Sequence, residues 1–194
     1  MADENSFTDK TVPDGLWGLV NINDFVWGVI LDLISSNVDL SGLEVETAGD
    51  RRRAFKLKDE LTLILNNSKP SYDYIIIDCP PSLNLLTINA MEYCKKVLVP
   101  VQCEYYALEG LVTLKSTIDQ LNTALGLRIE IVAILRTMAD WRNRLTREVS
   151  AQLEKHFKKT VLNTIIPRNV RLAEAPSYGQ SIVDYDIKSI GAEA

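Results

Sequence analysis

Four consecutive apolar residues, Tyr74-Ile75-Ile76-Ile77, run without polar alternation into Asp78 and then into Cys79-Pro80-Pro81-Ser82. A run with no polar side is expected where both faces of a sheet are covered, as in a parallel sheet between helix layers. The two prolines end such a run, because proline has no N–H for a ladder and restricts the residue before it. The pattern predicts a central strand that delivers a carboxylate to its carboxyl edge. There Asp78 could hold a Mg²⁺-bound water beside a phosphate, or it could simply cap the following turn or helix.

The rest of the chain alternates in the same manner. Val29-Ile30-Leu31-Asp32-Leu33-Ile34, Val97-Leu98-Val99-Pro100-Val101, residues 129–135 and residues 161–166 read as further strands. Between them, Leu57, Leu61, Ile64 and Leu65 share one helical face, and so do Leu111, Leu114, Ile118 and Leu121 before Gly126. Leu145, Val149, Leu153 and Phe157 recur every four residues, opposite Arg147, Glu154 and Lys158. Strand, helix, strand at this spacing implies right-handed crossovers. The expected fold class is α/β: a three-layer arrangement of a mainly parallel sheet with helices on both faces. Ligands of such sheets bind beyond the carboxyl ends of the strands. Residues 1–28 read as a divergent, partly disordered amino-terminal segment, and residues 29–194 as one α/β domain.

Composition narrows the function classes. The chain has 194 residues, of which 46% are hydrophobic and 24% charged, with a net charge of -5. That is an ordinary balance for a folded domain and carries no global signature of nucleic-acid binding, although a local basic patch stays compatible with it. The apolar stretch 16–34 is interrupted by Asn21, Asn23, Asp24 and Asp32, which argues against a bilayer span. The start is polar and unlike a secretory signal, so a cytoplasmic protein is expected. Cys79, Cys94 and Cys103 have no metal-ligand spacing and read as buried, reduced core thiols. His156 belongs to no catalytic set, and Trp141 reads as a core residue.

Three long blocks carry a resemblance. They are residues 73–83 around Asp78, Val99-Pro100-Val101-Gln102-Cys103-Glu104-Tyr105-Tyr106-Ala107-Leu108-Glu109-Gly110, and Ile165-Ile166-Pro167-Arg168-Asn169-Val170-Arg171-Leu172-Ala173-Glu174-Ala175-Pro176-Ser177-Tyr178-Gly179. In this order they closely resemble the ParA/Soj chromosome-partitioning ATPases, within the superfamily that includes MinD; the likeness extends over residues 31–194. It implies a P-loop NTPase-like fold with ATP and Mg as family cofactors. It implies that Asp78 matches the Walker-B aspartate, acting on Mg through water, and that Pro167, Arg168 and Asn169 match the turn lying against adenine. It further implies non-specific DNA as a partner: Arg142 and Arg171 fall at positions resembling the family's DNA-contacting arginines, Arg144 and Arg147 would enlarge that DNA-binding patch, and Arg136 is close by in sequence. A ParB-like partition partner, a homodimer and a nucleoid-associated cytoplasmic location complete the implied picture, with no membrane anchor.

One part of the family pattern is not found. A P-loop needs G-x-x-x-x-G-K-[ST], and none of the nine glycines here is followed by lysine. The family's first strand and its catalytic aspartate, which would precede Leu31, are expected to be missing too. That leaves a gap in the sheet, which the apolar residues of 16–27 could partly cover. Three readings stay open: a partition protein in which ATP hydrolysis is doubtful, a nucleotide-independent DNA- or partner-binding module, and a non-functional truncated remnant.

Overall fold

A computed structural model describes residues 10–11, 18–26, 29–36, 40, 42–66, 72–80 and 82–194. The described residues form two separate sheets. The first is antiparallel, with β1 (Lys10–Thr11), β2 (Gly18–Val26) and β3 (Val29–Ser35) in that order. The strand expected at 29–34 is therefore real, but it closes a hairpin with β2 and is not part of the parallel sheet. The expectation that residues 16–27 fill a gap with their side chains lies outside the described residues, as does the amino-terminal tail.

The second sheet is parallel and holds the domain together: β4 (Lys96–Gln102), β5 (Glu130–Ala139) and β6 (Val161–Pro167), in the order β4-β5-β6. Its crossovers are the helices expected from the periodicity. One is α4 (Ala107–Leu125), ended by Gly126 in the left-handed conformation; the other is α5 (Arg144–Phe157). Val99 lies opposite Ile134, and Val101 opposite Arg136. Val101, Ile134, Leu111 of α4, and Val149 and Leu153 of α5 form one buried cluster. Ile134 and Leu153 are fully shielded from solvent. Alternation along β4 puts Val97, Val99 and Val101 on this helix-covered face, while Leu98 and Pro100 point away from it and are exposed.

After the short α1 (Leu43–Glu46), helix α2 (Lys56–Asn66) is the one its periodicity predicts; α3 (Leu85–Cys94) has no such signal. The reason is physical. Leu85, Thr87, Asn89, Ala90, Met91 and Glu92 are all buried, so α3 has too little polar face for an amphipathic pattern to show. Its start is set by Asn84, whose side-chain oxygen accepts from the Thr87 N–H at 3.1 Å. Asn89 then locks α3 to the start of α2. Its oxygen accepts from the Leu57 N–H at 3.1 Å, while its amide donates to the Arg53 and Leu85 carbonyls at 2.9 Å each.

The strand expected at 74–78 does not form. Residues 74–80 carry no regular secondary structure, with Tyr74 86% and Ile76 93% exposed. Apolar patterning marks a segment as able to pair, but a strand exists only where another backbone supplies its hydrogen bonds. Among the described residues, none pairs with this one.

The short helices α6 (Val170–Glu174), α7 (Ile182–Asp186) and α8 (Ile190–Glu193) follow β6. None of the described helices is long and apolar enough to cross a membrane.

Candidate functional site at the carboxyl edge of the parallel sheet

The ends of β5 and β6 are tied together. Ala139 pairs with Pro167, and the Arg168 N–H donates to the Ala139 carbonyl at 3.0 Å. The turn after β5, with Asp140, Trp141 and Arg142, therefore sits beside the turn after β6, with Arg168 and Asn169. Met138, one residue before this junction, has φ +49°. Left-handed backbone costs a residue with a Cβ about 1–2 kcal/mol. It coincides with a slip in the β5–β6 register between Arg136 and Ala139, the arrangement by which a bulge re-aims the next side chains along a strand.

The Asp140 carboxylate is gripped by Arg142. Nε donates to one oxygen at 2.9 Å and Nη2 to the other at 2.7 Å, and the Arg142 backbone N–H adds a third bond at 3.1 Å. These hydrogen bonds, with a smaller contribution from the charge of Arg168, hold the Asp140 carboxyl well below its usual range, at about 2. The Arg142 side chain is 92% exposed. Arg144 opens α5 and its Nε bonds Glu148 at 2.6 Å; Arg147 donates to the Trp141 carbonyl at 2.6 Å. Asn143 caps α5 by accepting from the Leu145 N–H at 3.0 Å.

Several expected residues stand elsewhere. Arg171 is held on α6 and α7 by Glu174 at 3.0 Å and Asp186 at 3.5 Å, with its guanidinium over the Tyr185 ring. Asn169 uses its side-chain oxygen to cap α6, accepting from the Arg171 N–H at 2.7 Å and the Leu172 N–H at 3.3 Å. Arg136 is not part of a surface patch. It is buried, donating to Ser150 at 2.7 Å, to the Leu162 carbonyl at 2.9 Å and to Glu154. Sequence cannot separate this arginine from its neighbours, because only the parity of β5 turns it inward. Trp141 is half-exposed rather than in the core, since it lies on the turn and not on β5. Cys79 is exposed, Cys94 half-buried and only Cys103 buried. His156 is exposed near the end of α5.

Asp78 is exposed and lies on a segment without strand pairing among the described residues. The Asn169 side-chain oxygen is used in capping α6. Among the described residues no group of three or more His, Cys, Asp or Glu could hold a metal ion. Tyr105 and Tyr106 have no spacing signal of their own in the sequence. They stand exposed beyond β4, edge to face with ring centroids 5.0 Å apart.

Comparison with known proteins decides the family. The profile of a family described as an AAA domain matches residues 3–131. The chromosome-partitioning ATPase Soj of Treponema pallidum is 42% identical over 187 residues, covering 95% of this chain and 72% of the relative. The chain belongs to the ParA/Soj family. The chromosome partitioning protein ParA of Caulobacter vibrioides is 46% identical over 164 residues, 84% of this chain and 61% of its own length. The chain thus spans about three-fifths of the length of several ParA/Soj relatives. Among solved structures, cobyrinic acid a,c-diamide synthase from Mycobacterium smegmatis, with bound ADP and magnesium, superposes with a TM-score of 0.66 at 29% identity. It covers 85% of this chain and 58% of that one. The α/β class and the parallel sheet agree with these relatives.

Proposed function

We propose that this chain acts in chromosome or plasmid partition by laying the carboxyl edge of its parallel sheet on DNA without reading sequence. The observation that carries this reading is the junction of the two turns, which sets the exposed Arg142 beside Arg168, with Arg144 and Arg147 on the first turns of α5. Guanidinium groups at such a surface contact phosphates and position a protein on the duplex without specifying bases. The relatives named for chromosome partitioning support the reading. The family likeness adds a ParB-like partner, a homodimer and a nucleoid-associated cytoplasmic location to this proposal.

Nucleotide has little part in this role. Asp78 stands off the sheet and no glycine of the chain is followed by lysine. The chain by itself therefore hydrolyses no ATP at a useful rate, and its contact with DNA is nucleotide-independent. Each arginine is also partly neutralised, Arg142 by Asp140, Arg144 by Glu148 and Arg171 by Glu174. Phosphate must displace these carboxylates, so binding is weak and steeply salt-dependent.

Fluorescence anisotropy with random-sequence duplex DNA at graded salt, with and without Mg-ATP, tests this. Expected is binding unaffected by Mg-ATP, with log affinity falling linearly in log salt. Arg142→Ala should lower the slope by about one. ATP-dependent binding would restore the ATPase reading. No binding by a folded chain at low salt would sink the proposal.

A further inference from the structure

We infer that the carboxyl edge of the parallel sheet prefers single-stranded DNA to duplex, a step that rests on the DNA contact just proposed; Tyr105, Tyr106 and Trp141 supply stacking surfaces for unpaired bases. All three rings leave the sheet at one edge. Gln102 at the end of β4 pairs with Thr137 of β5, and Ala139 at the end of β5 pairs with Pro167 of β6. The strands are parallel and about 4.8 Å apart, so the turns that follow them stand side by side. The first turn carries Tyr105 and Tyr106, the second Trp141 and Arg142, and the third Arg168.

Backbone geometry holds the tyrosines out. The Glu104 N–H donates to the Gln102 carbonyl at 2.8 Å, and the Ala107 N–H donates to the Glu104 carbonyl at 3.1 Å, which makes a tight turn between β4 and α4. On it Tyr105 is 74% and Tyr106 73% exposed; Trp141 is 43% exposed. The two tyrosine rings meet edge to face, at 89°. Such a contact covers one face of one ring, so both rings keep an open π-face. Tyr178 and Tyr185 make the contrast. They stack on each other at 23°, with Arg171 over the Tyr185 ring, so their faces are in use.

Open aromatic faces among exposed arginines are what a single-strand platform needs, with bases stacked on the rings and guanidinium groups along the phosphates. Arg142, Arg144, Arg147 and Arg168 are all exposed on or next to these turns. Glu104 and Glu109 are exposed near the tyrosines and repel phosphate, while Asp140 is already paired with Arg142. The contact at the tyrosines is therefore the uncharged one, stacking. In a duplex the base faces are covered by their neighbours, so the rings add affinity only where bases are unpaired. Every base has a π-face, so stacking is as indifferent to sequence as the phosphate contacts are.

The test is fluorescence anisotropy of the full chain with a mixed-sequence single strand and with its duplex, at one salt concentration. The single strand should bind at least about fivefold tighter. Tyr105→Leu, Tyr106→Leu and Trp141→Leu should each weaken single-strand binding about fivefold or more, leave duplex binding unchanged and keep a native circular dichroism spectrum. Tyr106→Phe and Trp141→Phe retain a ring and should retain the affinity, whereas Arg142→Ala should weaken binding of both forms. Duplex bound as tightly as the single strand, leucine variants that weaken both forms equally, or phenylalanine variants that lose as much as leucine would each overturn the preference and leave the DNA contact itself standing. A folded chain that binds neither form would overturn both.

Discussion

Two apolar runs of similar composition, Ile75-Ile76-Ile77 and Val97-Leu98-Val99, come to different ends in one molecule. The second is the body of β4, hydrogen-bonded to β5 in parallel register. The first has no ladder, although Ile77 reaches the same helix layer through α3. Side-chain burial on one face is thus insufficient to make a strand. A neighbour backbone at about 4.8 Å is needed as well, because each extended residue brings an N–H and a C=O that must be paired or hydrated. The functional groups follow the same division. Asp140, Arg142 and Arg168 stand where the sheet is complete and are organised; Asp78 stands where it is not and is left in solvent.

The largest expected effect breaks the comparison at its buried end. Leu153→Ala removes a fully shielded side chain from the β4–β5 core and should cost roughly 2–5 kcal/mol. Ile76→Ala, on an exposed residue of the other run, should change stability by no more than about 0.5 kcal/mol. Urea unfolding of both variants measures the contrast, and a loss above about 1 kcal/mol at Ile76 would mean that the segment is already paired.

Intermediate in size is Asn89→Ala. It leaves the Leu57 N–H and the Arg53 carbonyl without their partner where α2 and α3 meet, at an expected cost of about 1–3 kcal/mol. Asn89→Asp keeps the acceptor but not the donor, and in the same urea titration should lose less than the alanine if the bond to Leu57 dominates.

The smallest effect sharpens the comparison at the complete edge. The Asp140 carboxyl is lowered from 3.8 to about 2 by its bonds to Arg142. A group depressed in the folded state contributes stability above its unfolded pKa, and that contribution is lost as pH falls from about 4 towards 2. A carbon-detected NMR titration should place the Asp140 midpoint near 2, and Arg142→Ala should return it towards 3.8. The change in global stability will be slight, because the pair is exposed to solvent.

Much of the framework was legible in the sequence: α2, α4 with its Gly126 cap, α5, and three parallel strands. Those elements have one apolar face or a clean break, so periodicity reports them directly. Helix α3 was not legible, because a helix buried nearly all round has no period to read. A strand at 74–78 is expected from the sequence because patterning reports what a segment can pair with, and not whether the pairing partner is present. Of the candidate site, the Pro167-Arg168-Asn169 turn stands out in the third block of resemblance, and Arg142 only in its likeness to an arginine position of the family. That Asn169 caps α6 and that Arg136 turns inward were not legible, since both depend on which residue of a neighbouring element comes within hydrogen-bonding distance.

The sequence by itself determined the α/β class, the ParA/Soj likeness and the lack of a lysine after any glycine, because these follow from local patterning and from the order of residues. Tertiary structure alone decided which carboxylate became organised. Asp78 follows an apolar run and Asp140 a mixed one, but only Asp140 follows a paired strand with a neighbour to hold the turn beyond it. Pairing is a long-range contact, and no local pattern reports whether its other half is there.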